Sequence, residues 1–175
     1  RRRRPVAPGG RLADRSAAMF LFNDPGSVTP VWWHTMSKYA YAWDHSDLDL
    51  LAEVLAEDCS IDYTLFGALD GREALLAFAE EYFAGETRFE DWFHVFANPW
   101  VDVDDDGTRA RGRWNFLGVY TFEDVGATWQ AGFYDVGFVR TDDGWVIGDL
   151  TLEYKYSTPY DAGWGEVPID SRFVE

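Results

Sequence analysis

The side chains of this sequence that could exchange a proton near neutrality are three histidines, His34, His45 and His94. His34 and His45 fall on or beside one helical stretch, and His45 belongs at a solvent-exposed helix end. His94 sits mid-strand in Asp91-Trp-Phe-His-Val-Phe96, on the side of Trp92 and Phe96. Both faces of that strand are apolar, so alternation does not choose the inner one. A lone histidine in such a run is either a satisfied core residue or a base. Asp44 closes the first helix directly after Trp43. The helix dipole disfavours an acid there, so Asp44 is either an exposed interhelical residue or is placed by something other than helix stability. Together, the two would make an oriented imidazole base. The carboxylate would hold the proton of one ring nitrogen and leave the other nitrogen free to take a proton from substrate.

That chemistry needs no metal, and the chain has no HExxH or other compact ligand spacing. It also has no phosphate loop, no GxGxxG and no GxSxG. Hydride transfer on a Rossmann fold, phosphoryl transfer and serine-hydrolase chemistry are therefore not expected, and no cofactor is. Cys59 is the only cysteine, which excludes an internal disulfide and a thiolate zinc cluster. The net charge is −16, and six of the fifteen basic residues lie in the first eighteen positions. Residues 19–175 carry 30 acids against 9 bases, a net of −21. Such a surface repels nucleic acid and anionic membrane. No apolar run approaches the ~18 residues of a membrane span, and residues 1–18 lack the apolar core of a secretory signal. A soluble, cytoplasmic protein is the expectation.

Several elements must position the candidate residues. Residues 1–24 are basic, then rich in Gly, Ala and Pro, and read as a disordered tail. Thr29-Pro30 suits the start of a helix through VWWHTMSKYAYAWDH, with Trp33, Met36, Ala40 and Trp43 on one side. Ser46 would cap a second helix, DLDLLAEVLAE, with a stripe of Leu48, Leu51, Val54 and Leu55. A short strand at Cys59–Thr64 precedes a third helix, GREALLAFAEEYFAG, whose inner side is Leu75, Phe78, Ala79 and Tyr82. Strands are then predicted over Phe89–Ala97, Trp100–Asp104, Arg109–Glu123, Ala127–Thr141 and Trp145–Tyr156, separated by Asp/Asn/Gly turns. Helices first and a long meander after predict an α+β fold. It is cone-shaped, with a strongly curved mixed or antiparallel sheet and three N-terminal helices enclosing a cavity.

Alternation along Arg109–Phe122 places Ala110, Gly112, Trp114, Phe116, Gly118, Tyr120 and Phe122 inside and the arginines outside. In Ala127–Thr141 the more apolar face holds Ala127, Trp129, Ala131, Phe133, Gly137 and Val139, with Asp135 in its middle. A carboxylate on an inner face is costly unless paired. Asp135 is thus either a structural hydrogen-bond partner or a group aimed into the cavity. Nine Trp, nine Tyr and thirteen Phe suit an aromatic core or an aromatic-lined cavity.

The order of elements resembles the nuclear transport factor 2-like superfamily. Within it, the chain is similar to the SnoaL-like branch that includes scytalone dehydratase, over roughly residues 32–157. The strongest segment runs from Ala42-Trp-Asp-His-Ser-Asp-Leu-Asp-Leu-Leu through Cys59-Ser-Ile-Asp-Tyr63. The resemblance implies a catalytic Asp at Asp44 and a catalytic His at His94, with Tyr63 ending the Ile-Asp-Tyr strand. Trp43 stands where the dehydratase has a tyrosine, Tyr120 where it has a second histidine, and Asp135 near its interior asparagine. The implied domain covers residues 25–165, with 166–175 as a C-terminal tail. The implied activity is that of a lyase or isomerase. His94 would be the base, Asp44 its orienter, and Tyr63 and Tyr120 donors to an enolate oxygen. A lipophilic, aromatic or polyketide-like substrate would be held by Trp43, Trp114, Phe116, Trp129, Phe133 and Asp135. A non-catalytic binding domain, a polyketide-cyclase-like protein and a small subunit like those of ring-hydroxylating dioxygenases are the alternatives. A homodimer or homotrimer is expected.

Overall fold

The structure, a computed structural model, describes residues 31–85, 89–170 and 172. The expected basic tail over residues 1–24 and the Thr29-Pro30 helix start lie outside these residues. Helix α1 (Val31–Asp44) buries Thr35, Met36, Tyr39, Ala42 and Trp43. The same three- and four-residue spacing holds, but the buried stripe centres on Tyr39 rather than Ala40.

Helix α2 (Leu48–Glu53) is shorter than the periodicity suggests, and Asp47 caps it in place of Ser46, its carboxylate accepting from Leu50 N at 2.9 Å. Ser46 has φ 55, a left-handed kink between the two helices. The remainder of the expected helix is strand. Strand β1 (Leu55–Tyr63) begins at once, because Leu55 pairs with Ile147, and Ile147 N donates to Val54 O at 2.8 Å. A partner distant in sequence thus overrides the helix propensity of Leu-Ala-Glu-Val-Leu-Ala-Glu. A short strand β2 (Gly67–Asp70), absent from the predicted elements, folds back on β1. Helix α3 (Arg72–Phe83) follows, with Leu75 and Ala79 fully buried on its inner side.

The rest is a meander of long strands: β3 (Phe89–Val103), β4 (Arg109–Phe122), β5 (Gly126–Thr141) and β6 (Gly144–Pro159). The two strands expected around Asn98-Pro99 form one, β3, with a register shift between Ala97 and Trp100 and φ 52 at Asn98. The sheet order is β2-β1-β6-β5-β4-β3, antiparallel except for the parallel β1–β6 pair. It is strongly curved but not closed. Helix α1 packs across β3 and β6, and α3 against β1 and β2. The core between them joins Tyr39 and Trp43 to Ile61, Leu75, Trp114, Phe138 and Leu150. Beyond β6, residues 168–170 run beside Ser157, joined by Ser157 N to Pro168 O and Asp170 N to Ser157 O, each at 2.9 Å.

Alternation on β4 is as read from the sequence, with Ala110, Gly112, Trp114, Phe116 and Gly118 buried and their neighbours exposed. On β5 it is reversed. Thr128, Gln130, Gly132, Tyr134, Val136 and Phe138 face inward, while Trp129, Phe133 and Asp135 lie on the outer side. The cause is register. Directly opposed antiparallel residues share a face, and the pairs are Trp114 with Tyr134, Phe116 with Gly132 and Gly118 with Gln130. Asp135 is opposed to Arg113, and it bonds Arg111 at 2.8 Å and Arg113 at 2.7 Å on the outer surface. Both readings of Asp135 assumed the inner face, and its pairing with Arg111 and Arg113 on the outer face replaces them.

Candidate active site

Among the described residues strand β3 is an edge of the sheet, so alternate backbone N–H groups point away from β4 without a strand partner there. His94 N–H is one of them. The C-terminal end of α1 closes on this edge, and Asp44 accepts from His94 N at 3.1 Å. The same carboxylate oxygen lies 2.6 Å from His94 Nδ1. Nearby, Trp92 Nε1 donates to Trp43 O at 2.8 Å, tying helix end to strand a second time. These donors offset the unfavourable dipole position of Asp44. A carboxylate only accepts, so Nδ1 carries the proton and Nε2 presents its lone pair. Tyr120 donates to that lone pair, with its hydroxyl 3.0 Å from Nε2. The result is a chain from Asp44 through His94 to Tyr120, with the histidine and aspartate side chains 10% and 11% exposed.

The chain ends in a cavity of about 60 Å³ lined by aromatic rings from every layer of the fold. Helix α1 contributes Trp43, α3 contributes Phe78 and Tyr82, and β1 contributes Tyr63. Tyr63 and Tyr39 share a hydroxyl–hydroxyl hydrogen bond in the core beside it. The sheet supplies Trp92, His94, Tyr120, Gln130, Tyr134 and Tyr154. Gln130 is held by a hydrogen bond of 3.0 Å from its Nε2 to Ser157 Oγ, which leaves the rest of its amide to the cavity. Burial above all pushes the phenols of Tyr63, Tyr120, Tyr134 and Tyr154 up from their ordinary value, and the Asp44 charge adds to this at Tyr120 and Tyr134. The cavity therefore holds neutral hydroxyl donors around one imidazole.

Of the residues singled out in the sequence, Asp44, His94, Tyr63, Tyr120 and Trp43 come together here. Phe116 lies beneath, its ring 5.9 Å from His94. Trp114 is in the core against Phe138, away from the cavity. Trp129, Phe133 and Asp135 do not reach it, because β5 presents its other face. Trp129 stacks on Tyr160 outside, with centroids 6.0 Å apart. Gln130, Tyr134 and Tyr154 were missed. The signal for the two on β5 was a polar alternation, Thr128 and Gln130, opposite the inner residues of β4. Among the described residues, no three His, Cys, Asp or Glu side chains gather as a metal site, and no helix is long and apolar enough to cross a membrane.

Residues 34–151 match the model of the SnoaL-like domain. The chain belongs to the SnoaL-like family. No curated protein matches it, but solved structures share the SnoaL-like fold. A Novosphingobium aromaticivorans protein assigned as a scytalone dehydratase superposes with a TM-score of 0.67 at 21% identity, over 85% of this chain and 92% of its own. Hexachlorocyclohexane dehydrochlorinase LinA-type3 from Novosphingobium barchaimii gives 0.67 at 18% identity, over 83% and 92%. A protein from Novosphingobium aromaticivorans assigned as an aromatic ring hydroxylase gives 0.64 at 25% identity, over 76% and 94%.

Proposed function

We propose that this SnoaL-like protein is a lyase or isomerase that removes a proton from carbon beside a carbonyl or similar acidifying group, with His94 as the base. The observation that carries this reading is the Asp44–His94–Tyr120 chain ending in an aromatic-lined cavity. Nε2 takes the proton, and the Asp44 carboxylate at Nδ1 stabilises the imidazolium that forms. As the substrate C–H arrives, the Tyr120 hydroxyl leaves Nε2 and turns to the developing oxyanion, with Tyr63 as the second donor. Loss of a β-substituent, a double-bond shift or ring closure completes the reaction. The names of two structural neighbours denote loss of water and loss of hydrogen chloride, and each of these eliminations removes a proton from carbon.

The substrate in this reading is uncharged and lipophilic. Among the described residues no Lys or Arg lines the cavity, while indole, phenyl and phenol rings do. Gln130 is suited to bind a second oxygen of the substrate. Exposed Phe93, Val95, Leu117 and Phe133 on the outer sheet face support self-association there. Sedimentation of the wild type against Leu117→Lys tests it, and a monomeric wild type would refute it.

The function is tested by incubating the protein with a panel of neutral aryl ketones and β-hydroxy ketones in D₂O and following α-deuteration and elimination by NMR. His94→Ala should slow the accepted substrate by a factor of about 10²–10⁴. Full activity in a folded His94→Ala protein rules out His94 as the base.

A further inference from the structure

The inner face of β4 contains the same arrangement twice: a glycine, and two residues later an aromatic whose ring leans back over it. Trp114 lies over Gly112, and Tyr120 lies over Gly118. A Cβ added at Gly118 would collide with the edge of the Tyr120 ring. It would also sit 2.8 Å from the Tyr120 hydroxyl and 2.8 Å from Phe116 Cζ, well inside the ~3.5–4.0 Å of ordinary carbon contact. The backbone register shows what this lean accomplishes. Tyr120 is opposed to Trp92, whereas the residue opposed to His94 is Gly118. Same-face neighbours on a strand are about 6.6 Å apart. An upright Tyr120 would therefore deliver its hydroxyl beside Trp92, and only a ring laid back over position 118 brings it to His94 Nε2 at 3.0 Å.

We propose that Gly118 is a positioning residue of this site: its missing side chain is the space through which Tyr120 reaches His94. Its importance for catalysis rests on the base role proposed for His94, but its effect on the Tyr120–His94 hydrogen bond does not. Gly112 supplies the internal comparison. A Cβ there would lie 2.6 Å from Trp114 Cη2 and 2.9 Å from Val101 Cγ2, a similar clash whose nearest atoms belong to no titratable side chain.

The test uses histidine-ring ¹⁵N NMR of the full chain and needs no substrate. Tyr120→Phe defines the displacement of the His94 Nε2 resonance when the hydroxyl donor is removed. Gly118→Ala should move that resonance in the same direction by at least half as much. Gly112→Ala should lower the melting temperature but leave the resonance in place. An unmoved Nε2 resonance in Gly118→Ala, or an equal movement in Gly112→Ala, overturns the proposal.

Denaturant midpoints give a second reading that survives poor folding of the single variant. Tyr120→Leu should lower stability in the wild-type background and raise it beside Gly118→Ala, because the shorter side chain vacates the space that the new methyl needs. Equal losses in both backgrounds, or a double variant that fails to fold, would show that Tyr120 is not what the glycine accommodates. Loss of activity in His94→Ala is scored separately, so the base reading can fail while the positioning of Tyr120 by Gly118 stands, and the reverse.

Discussion

Asp44 holds His94 by both its ring and its backbone, and the two roles separate on substitution. Asp44→Asn keeps the shape and still offers an oxygen, yet loses the charge that stabilises an imidazolium and can favour the wrong tautomer. Turnover should fall strongly, while the melting temperature changes little. Asp44→Ala should in addition cost about 1–3 kcal/mol, since the His94 N–H loses its acceptor in a half-buried place. Equal stabilities for the Asn and Ala variants would mean that the backbone bond contributes nothing. Gln130 makes the complementary case. Gln130→Leu removes a cavity amide and should leave the fold intact. In the function proposed here it should weaken binding of a neutral ligand with two oxygens more than that of its mono-oxygenated analogue. Titration by tryptophan fluorescence would read this through Trp43 and Trp92, and equal weakening would remove Gln130 from recognition.

At the scale of elements, the helices and strands were largely legible, because each carries its own periodicity. The failures lie where a distant partner decides. Leu55 continues a helical stripe in the sequence, yet extends as strand because Ile147 of β6 lies alongside. Ser46 and Asp47 both suit a helix N-terminus, but the chain turns sharply off α1, which puts Ser46 in the left-handed region and gives the cap to Asp47. Asp47→Ala should therefore destabilise by about 0.5–2 kcal/mol, with Ser46→Ala within about 0.5 kcal/mol of wild type. Urea midpoints measure both, and a larger loss at Ser46 would reassign the cap. The reversed face of β5 was recoverable in principle. Its hairpin closes with Phe122 opposed to Gly126, which pairs even-numbered residues with even-numbered ones. The inner even face of β4 then requires Thr128, Gln130 and Tyr134 inside. Hydropathy pointed the other way, because the inner face of a polar-functional cavity is less apolar than the outer face of this sheet.

At the scale of the molecule, five tyrosines are held above their ordinary pKa chiefly by burial: Tyr39, Tyr63, Tyr120, Tyr134 and Tyr154. Their folded-state values exceed the unfolded value of about 10, so the folded protein keeps protons that the unfolded chain releases. Stability is then fully present below about pH 10 and falls as pH rises above it, by up to about 1.4 kcal/mol per unit for each phenol. A cooperative alkaline transition is expected, in which phenolate absorbance and loss of far-UV dichroism coincide. Smooth ionisation of all five with the dichroism unchanged would contradict their burial.

The sequence by itself determined the α+β class, the three helices, most of the strands, the inner face of β4, and Asp44 and His94 as the residues to watch. These are properties of local spacing, or of a motif contained in a few consecutive residues. Tertiary structure alone decided that the end of α1 meets the free edge of β3, so that one carboxylate binds a ring nitrogen and a backbone N–H fifty residues away. It also decided which face of β5 looks inward, and that the Tyr120 ring lies over Gly118 to reach His94. Each of these depends on register between strands and on closure of helix against sheet, and neither leaves a periodic trace in a single chain.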